Sequence, residues 1–293
     1  MITIKLNKLN LIKSPLNYIG GKYKILPQLL EIFPQKISTL YDVFGGGANV
    51  SVNTNAEHVY YNDIVNHVVD IFKNLNNAKK NDIIEEIEYI IKKYNLNKDN
   101  EEGFKKCRED YNNGNKKWSM FYTLMCFSFN NQFRFNNKKE YNSSFGKHKS
   151  CFSNVTRNKL VNFIDRLNNI DIEFNNLDFR EVNFSNADKN DLIYFDPPYL
   201  ITTGNYNDGK RGFKGWGQQD DIDLMNLCDR LNQQGTRFAM SNVFENKGNV
   251  NTKLIEWAKK YNVHYLNNSY NNSNYQSKDK GKNTTVEVVI TNY

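Results

Sequence analysis

The residues of this chain best suited to chemistry lie in the run Tyr194-Phe195-Asp196-Pro197-Pro198-Tyr199, where an apolar strand ends in an acid, two prolines and an aromatic ring. Each proline fixes φ at about −65° and lacks an N–H, so the turn is stiff. The Pro197 carbonyl has no adjacent proline donor to compete for it, and acceptors from Asp196 and Pro197 can converge. Converging acceptors suit a planar amine such as adenine N6. Its lone pair is delocalised into the ring, and holding both hydrogens favours a pyramidal, nucleophilic nitrogen. Tyr199 presents a flat face at the rim, where a base taken out of a duplex can stack. Such stacking is worth about 1 to 3 kcal/mol, comparable to the cost of extruding the base. An isolated Asp-Pro-Pro is as readily a rigid structural turn; the preceding strand and Tyr199 weigh toward chemistry.

A second cluster lies upstream. Residues 39–44 (TLYDVF) are β-rich and break into Gly45-Gly46-Gly47, where bare backbone can approach a ligand closely. The next strand-like run, His58-Val59-Tyr60-Tyr61, stops at Asn62-Asp63, and a carboxylate there can bind ribose hydroxyls. The glycines alone also fit a turn made for packing. No GxGxxG fingerprint and no GxxxxGK(S/T) phosphate loop is present, so NAD and ATP chemistry lose support.

These residues need a scaffold, and the apolar spacing supplies one. Residues 22–33 read as an amphipathic helix with Pro27 near its first turns, and residues 65–75 as another. Two βα units in series predict a parallel, doubly wound α/β sheet of Rossmann-like type. From residue 82 to about 166 the pattern turns helical and then passes through a polar, basic loop at 130–150. This predicts an inserted helical subdomain over 81–166, with 1–80 and 167–293 forming the catalytic domain. Strand patterns return at 170–174, 192–195 and 236–241, with a helix at 220–231; residues 263–270 and 286–291 suit a terminal hairpin around a polar loop.

At 293 residues the chain is long enough for one α/β core and a small inserted domain. A mean hydropathy of −0.72 leaves no apolar run near the roughly 18 residues of a membrane span, and the opening MITIKLNKLNLIKSP is too polar for a secretory signal. A cytoplasmic protein without membrane contact is expected. Cys107, Cys126, Cys151 and Cys228 lie far apart, which argues against a zinc site or a disulfide framework. The net charge is +7, and residues 134–166 hold eight Lys or Arg against Glu140 and Asp165. A local basic field of this kind attracts nucleic-acid phosphates, though a solvated basic surface is an even alternative.

In their order along the chain, Asn17-Tyr18-Ile19-Gly20-Gly21-Lys22, Asp42-Val43-Phe44-Gly45-Gly46-Gly47, Asn62-Asp63 and Asp196-Pro197-Pro198-Tyr199 resemble the Dam family of DNA adenine methyltransferases, including phage members. The resemblance covers nearly the whole chain and continues through Phe129-Asn130-Asn131-Gln132-Phe133-Arg134, Phe145-Gly146-Lys147 and Ser241-Asn242-Val243. It implies a class I fold and transfer of methyl from S-adenosylmethionine to N6 of a flipped adenine in double-stranded DNA, with GATC as the implied motif and no metal. It implies cofactor contacts from Tyr18, Gly20, Lys22, Phe44, Gly45, Gly46 and Asp63. Asp178-Phe179 would cover the cofactor adenine. Asp196 would be shared between cofactor and base, and Asp196, Pro197, Pro198 and Tyr199 would be catalytic. The basic insert becomes the target-recognition domain, with Phe129, Asn130, Asn131, Arg134, Lys147 and His148 at the DNA, bound by a monomer or weak dimer. One departure stands out: close phage relatives carry a basic fork after the Phe-Gly-Lys segment, where this chain has His148-Lys149, and histidine cannot make arginine's bidentate contact with guanine. Restriction-modification is one expected setting. Alternatives are N4 methylation of cytosine, a silent DNA-binding module of the same fold, and methylation of RNA or protein.

Overall fold

A computed structural model describes residues 10–18, 20–136, 138–205, 215–267 and 285–293. A short 3-10 turn, Lys22–Lys24, leads into helix α1 (Leu26–Ile32), so the helix expected over 22–33 starts later. Pro27 explains the delay: it is tolerated only in a first helical turn, where its missing N–H has no partner to lose.

The order continues as β1 (Thr39–Asp42), α2 (Asn49–Asn53), β2 (His58–Asn62), α3 (Asn66–Leu75), α4 (Lys80–Lys93), α5 (Glu101–Asn112), α6 (Trp118–Phe127), α7 (Asn154–Leu167), β3 (Ile172–Asn175), β4 (Leu192–Phe195), α8 (Gln218–Gln233), β5 (Arg237–Asn246), β6 (Asn249–Val250), α9 (Thr252–Ala258), β7 (Asn262–Tyr265) and β8 (Thr285–Thr291). The sheet order is β3-β2-β1-β4-β5-β8-β7, with β6 paired on β5. Strands β1 to β5 run parallel, and β8 is inserted antiparallel between β5 and β7. This is the doubly wound, mainly parallel sheet that the βα pattern predicts. The expected hairpin forms as β7 against β8. Residues 268–270 of its first arm, the polar loop to 284, residues 1–9, Ile19 and Asn137 lie outside the described residues.

Alternation along the strands divides the core between the two faces. In β4, Leu192 and Tyr194 join the core covered by α1 to α7, while Ile193 and Phe195 join the one covered by α8 and α9. Residues buried on both faces give the continuous apolar runs read from the sequence. Between α3 and β3 the chain makes a long helical excursion. Every residue of α6 after Trp118 is buried, because α3, α4 and α5 all pack against the helix. Helix α7 returns to the sheet layer, where Phe163 packs on Phe72 and Arg166 Nε donates to the Val52 carbonyl at 2.7 Å.

Strand order reverses between β1 and β4, and crevices of this kind open beyond the carboxyl ends of the strands. Polar residues stand at those ends: Asp42 closes β1, Asn62-Asp63 closes β2, and Asp196 follows β4. Among the described residues no helix is long and apolar enough to cross a membrane, and no cluster of three metal-ligating side chains forms. All four cysteines are free thiols.

Candidate active site

A cavity of about 900 Å³ lies at this reversal. It is lined by every residue expected at the cofactor and the reacting base: Tyr18, Gly20, Lys22, Phe44, Gly45, Gly46, Asp63, Asp178, Phe179, Asp196, Pro197, Pro198 and Tyr199. Asp42, Ile64, Arg180, Trp216 and Asp220 line it as well.

The glycine turn is built by its neighbours. Gly45 N donates to the Asn62 carbonyl at 2.8 Å, and a Cβ on Gly45 would lie 2.1 Å from the Tyr61 ring. Gly46 has φ +48°, and its N–H donates to Asp63 Oδ2 at 2.8 Å. The other oxygen, Oδ1, accepts from Val65 N at 2.8 Å. Asp63 therefore clasps the turn to the end of β2. Burial raises its carboxyl to about 6, although both backbone donors hold it down. Asn62 ties the same edge together, donating to the carbonyls of Val43 and Leu177 at 3.0 Å each.

Asp42 had no role in the sequence reading beyond its place in a motif. It is buried, and its Oδ2 accepts from Ser51 Oγ at 2.5 Å and Ser51 N at 3.1 Å. Burial pushes it up to about 7 against those donors, with Asp196 and Asp63 adding to the rise. Phe44 meets Phe179 at 5.5 Å and Trp216 at 5.6 Å between ring centroids, and these rings form an aromatic patch of the lining. The Arg180 guanidinium lies over Phe179 and is held by Asp178, Asp220 and Asp223. Nothing in the sequence pointed to Trp216.

At Asp196 the structure adds partners. Its Oδ1 meets Lys22 Nζ at 2.7 Å and accepts from the Tyr199 hydroxyl at 3.0 Å, while Oδ2 accepts from no described residue. Burial raises the Asp196 carboxyl above its ordinary value and Glu287 adds to this, whereas Lys22 and Tyr199 hold it down. Lys22 is not a solvated lysine: it is 7% exposed and also donates to the Gly20 carbonyl at 3.1 Å. Tyr199 differs from its expected place at the rim. It is buried, with its hydroxyl between Asp196 and Glu287, because β8 brings a second carboxylate into reach.

The residues expected at DNA stand apart, and none of them lines the cavity. Phe129 is 60% exposed, and Asn130, Arg134, Lys147 and His148 are exposed too. Asn130 and Asn131 are both left-handed, with φ of 55° and 52°, a conformation asparagine tolerates better than most residues. Asn131 Nδ2 anchors this corner on the Cys126 carbonyl at 2.7 Å. His148 is fixed by Asp99, with 2.7 Å between Nδ1 and Oδ1. The corner touches the loop ahead of α1 directly: Asn17 Nδ2 donates to the Asn130 carbonyl at 2.7 Å, and Tyr18 packs on Phe133.

The profile of the D12 class N6 adenine-specific DNA methyltransferases matches residues 18–272. The chain is 48% identical over 282 residues to the type II methyltransferase M.FokI of Planomicrobium okeanokoites, and 47% identical over 284 residues to the modification methylase StsI of Streptococcus sanguinis. Each alignment covers 96% of this chain and 43% of the relative, so the chain spans less than half the length of either. A DNA adenine methylase of Haemophilus influenzae is 28% identical over 187 residues, which is 63% of each chain.

Proposed function

Since this chain belongs to the D12 class N6 adenine-specific DNA methyltransferase family, we propose that its cavity binds S-adenosylmethionine beside an adenine flipped out of duplex DNA, and that the chain methylates N6 within a short motif. The observation that carries this reading is that the glycine turn and the Asp196-Pro197-Pro198-Tyr199 turn open into one cavity. The lining fits the cofactor by its chemistry. Asp42, Asp63 and Asp196 suit a cationic ligand, Phe44, Phe179 and Trp216 suit a purine, and about 900 Å³ is within the range of small-molecule sites.

When bound, S-adenosylmethionine supplies a methyl group already activated on a sulfonium, so no polarising metal is called for. The chain's own residues orient and desolvate the amine. Lys22 and Tyr199 occupy Oδ1 of Asp196 and so direct Oδ2 and the Pro197 carbonyl to the amine hydrogens. Tyr199 and the cavity wall hold the base, and Asp196 takes the proton that the methylated nitrogen sheds.

The helical insert over 81–166 is proposed as the target-recognition domain. Phe129 and Asn130 would meet the duplex, Asn131 would shape their corner, and Arg134, Lys147 and His148 would face phosphates or base edges. GATC is the proposed motif, read without an arginine at position 148. The names of the relatives suggest modification within a restriction system, by one copy or a weak dimer on DNA, in the cytoplasm.

The test is competition between DNA, RNA and protein acceptors for labelled methyl, run with wild type and Asp196→Ala. Incorporation confined to DNA, and lost in the variant while its thermal unfolding stays cooperative, is the expected result. Incorporation into RNA or protein instead would overturn the reading.

A further inference from the structure

Glu287 is the lone charge in the apolar run of β8, TVEVVIT, and it is only 4% exposed. Strand alternation places it on the face of Val289, which belongs to the core covered by α1 to α7. On that face Glu287 Oε1 accepts from the Tyr199 hydroxyl at 3.2 Å and stands 3.8 Å from Lys22 Nζ. Lys22 and Tyr199 also hold Oδ1 of Asp196, at 2.7 and 3.0 Å. Two carboxylates thus share one ammonium and one phenol, and a phenol has a single proton to donate.

Building on the reading of the site as an adenine N6-methyltransferase, we propose that Glu287 is a positioning residue that competes with Asp196 for Lys22 and Tyr199 and so keeps Asp196 basic enough to accept the amine proton. As the nitrogen lone pair forms its bond to the methyl carbon, the bond from that carbon to sulfur would break and its electron pair would leave with S-adenosylhomocysteine. The methylated nitrogen is then cationic, and one N–H bond breaks. Its electron pair stays on nitrogen, and its proton passes to Asp196, which becomes a neutral carboxyl. A neutral Asp196 attracts Lys22 less, and Glu287 is already within reach of both donors. It supplies the counter-charge that Asp196 has lost, without rearrangement of the backbone. Asp196 also faces Asp42 and Tyr194, which this exchange leaves in place.

The experiment is the pH dependence of kcat on duplex DNA for the full chain and its Glu287→Gln variant, with binding of S-adenosylhomocysteine as the check on folding. Removing a negative neighbour lowers the Asp196 pKa. The acid limb should therefore move to lower pH while kcat at neutral pH falls about tenfold, less than a direct acid–base group contributes, and KM for the cofactor holds. A limb that stays or moves upward, or a change in KM alone, overturns the proposal. If the variant does not bind the product, Glu287→Asp decides, because it keeps the charge but shortens the reach. A lower kcat with the limb moved to lower pH supports the proposal, and a limb in place or an unchanged kcat overturns it. Wild type separates the two levels of inference. No transfer to adenine overturns both, whereas adenine methylation with an unaltered Gln profile overturns only the role of Glu287.

Discussion

The Lys22 ammonium stands 2.7 Å from Oδ1 of Asp196, joining the turn ahead of α1 to the end of β4. Both side chains are largely withdrawn from solvent, at 8% and 17% exposure, so the charge of Asp196 depends on its neighbour.

Lys22→Met removes the cation that holds the Asp196 carboxyl down. The acid limb of kcat should then move to higher pH, opposite to the shift expected for Glu287→Gln, and kcat at neutral pH should fall about a hundredfold. A pH series of initial rates checks this. A downward shift would contradict the pairing.

Cofactor affinity should rise with pH. Burial holds Asp42 up to about 7 and Asp63 up to about 6. Both lie above the unfolded value of about 3.9. Their contribution to stability is therefore full at low pH and is lost as pH rises through those folded values. A cationic ligand favours the ionised carboxylates, so calorimetric affinity for S-adenosylmethionine should increase from about pH 5 to about pH 8, and less so for S-adenosylhomocysteine, which lacks the sulfonium. Equal slopes for the two ligands would remove these carboxylates from any pairing with the sulfonium.

Gly45→Ala places a methyl 2.1 Å from the Tyr61 ring. The hydroxyl of Tyr61 donates to the Gly46 carbonyl at 2.9 Å, so the ring cannot move without disturbing the turn. A loss of about 1 to 3 kcal/mol of stability is expected, with cofactor binding weakened more than the fold. Denaturant unfolding and calorimetry on one sample measure both.

Much of this was legible in the chain. The apolar strands ending in Asp42, Asp63 and Asp196 gave the sheet and the cavity, since strand periodicity and turn chemistry are local properties. Glu287 was not read. Its only signal was a single charge between Val286 and Val288, and its partners arrive through the pairing of β8 with β5, which is non-local. The contact of Asn17 with the Asn130 carbonyl was hidden for the same reason. The late start of α1 was a matter of local weighting, in which Pro27 outranked the apolar spacing.

Phe129→Ala should leave the melting temperature near that of wild type, because the ring is 60% exposed, while KM for DNA rises. Arg134→Ala together with Lys147→Ala should flatten the salt dependence of DNA binding. Thermal melts and binding titrations across salt concentrations check these outcomes, and an unchanged slope would move the DNA face elsewhere.

The most direct measurement is transfer of labelled methyl from S-adenosylmethionine to unmethylated duplex DNA, followed by nucleoside digestion and mapping of the modified positions. N6-methyladenine at one short motif is the predicted result. N4-methylcytosine, or DNA binding without any transfer, would contradict the assignment of Asp196 and Tyr199 to an adenine amine.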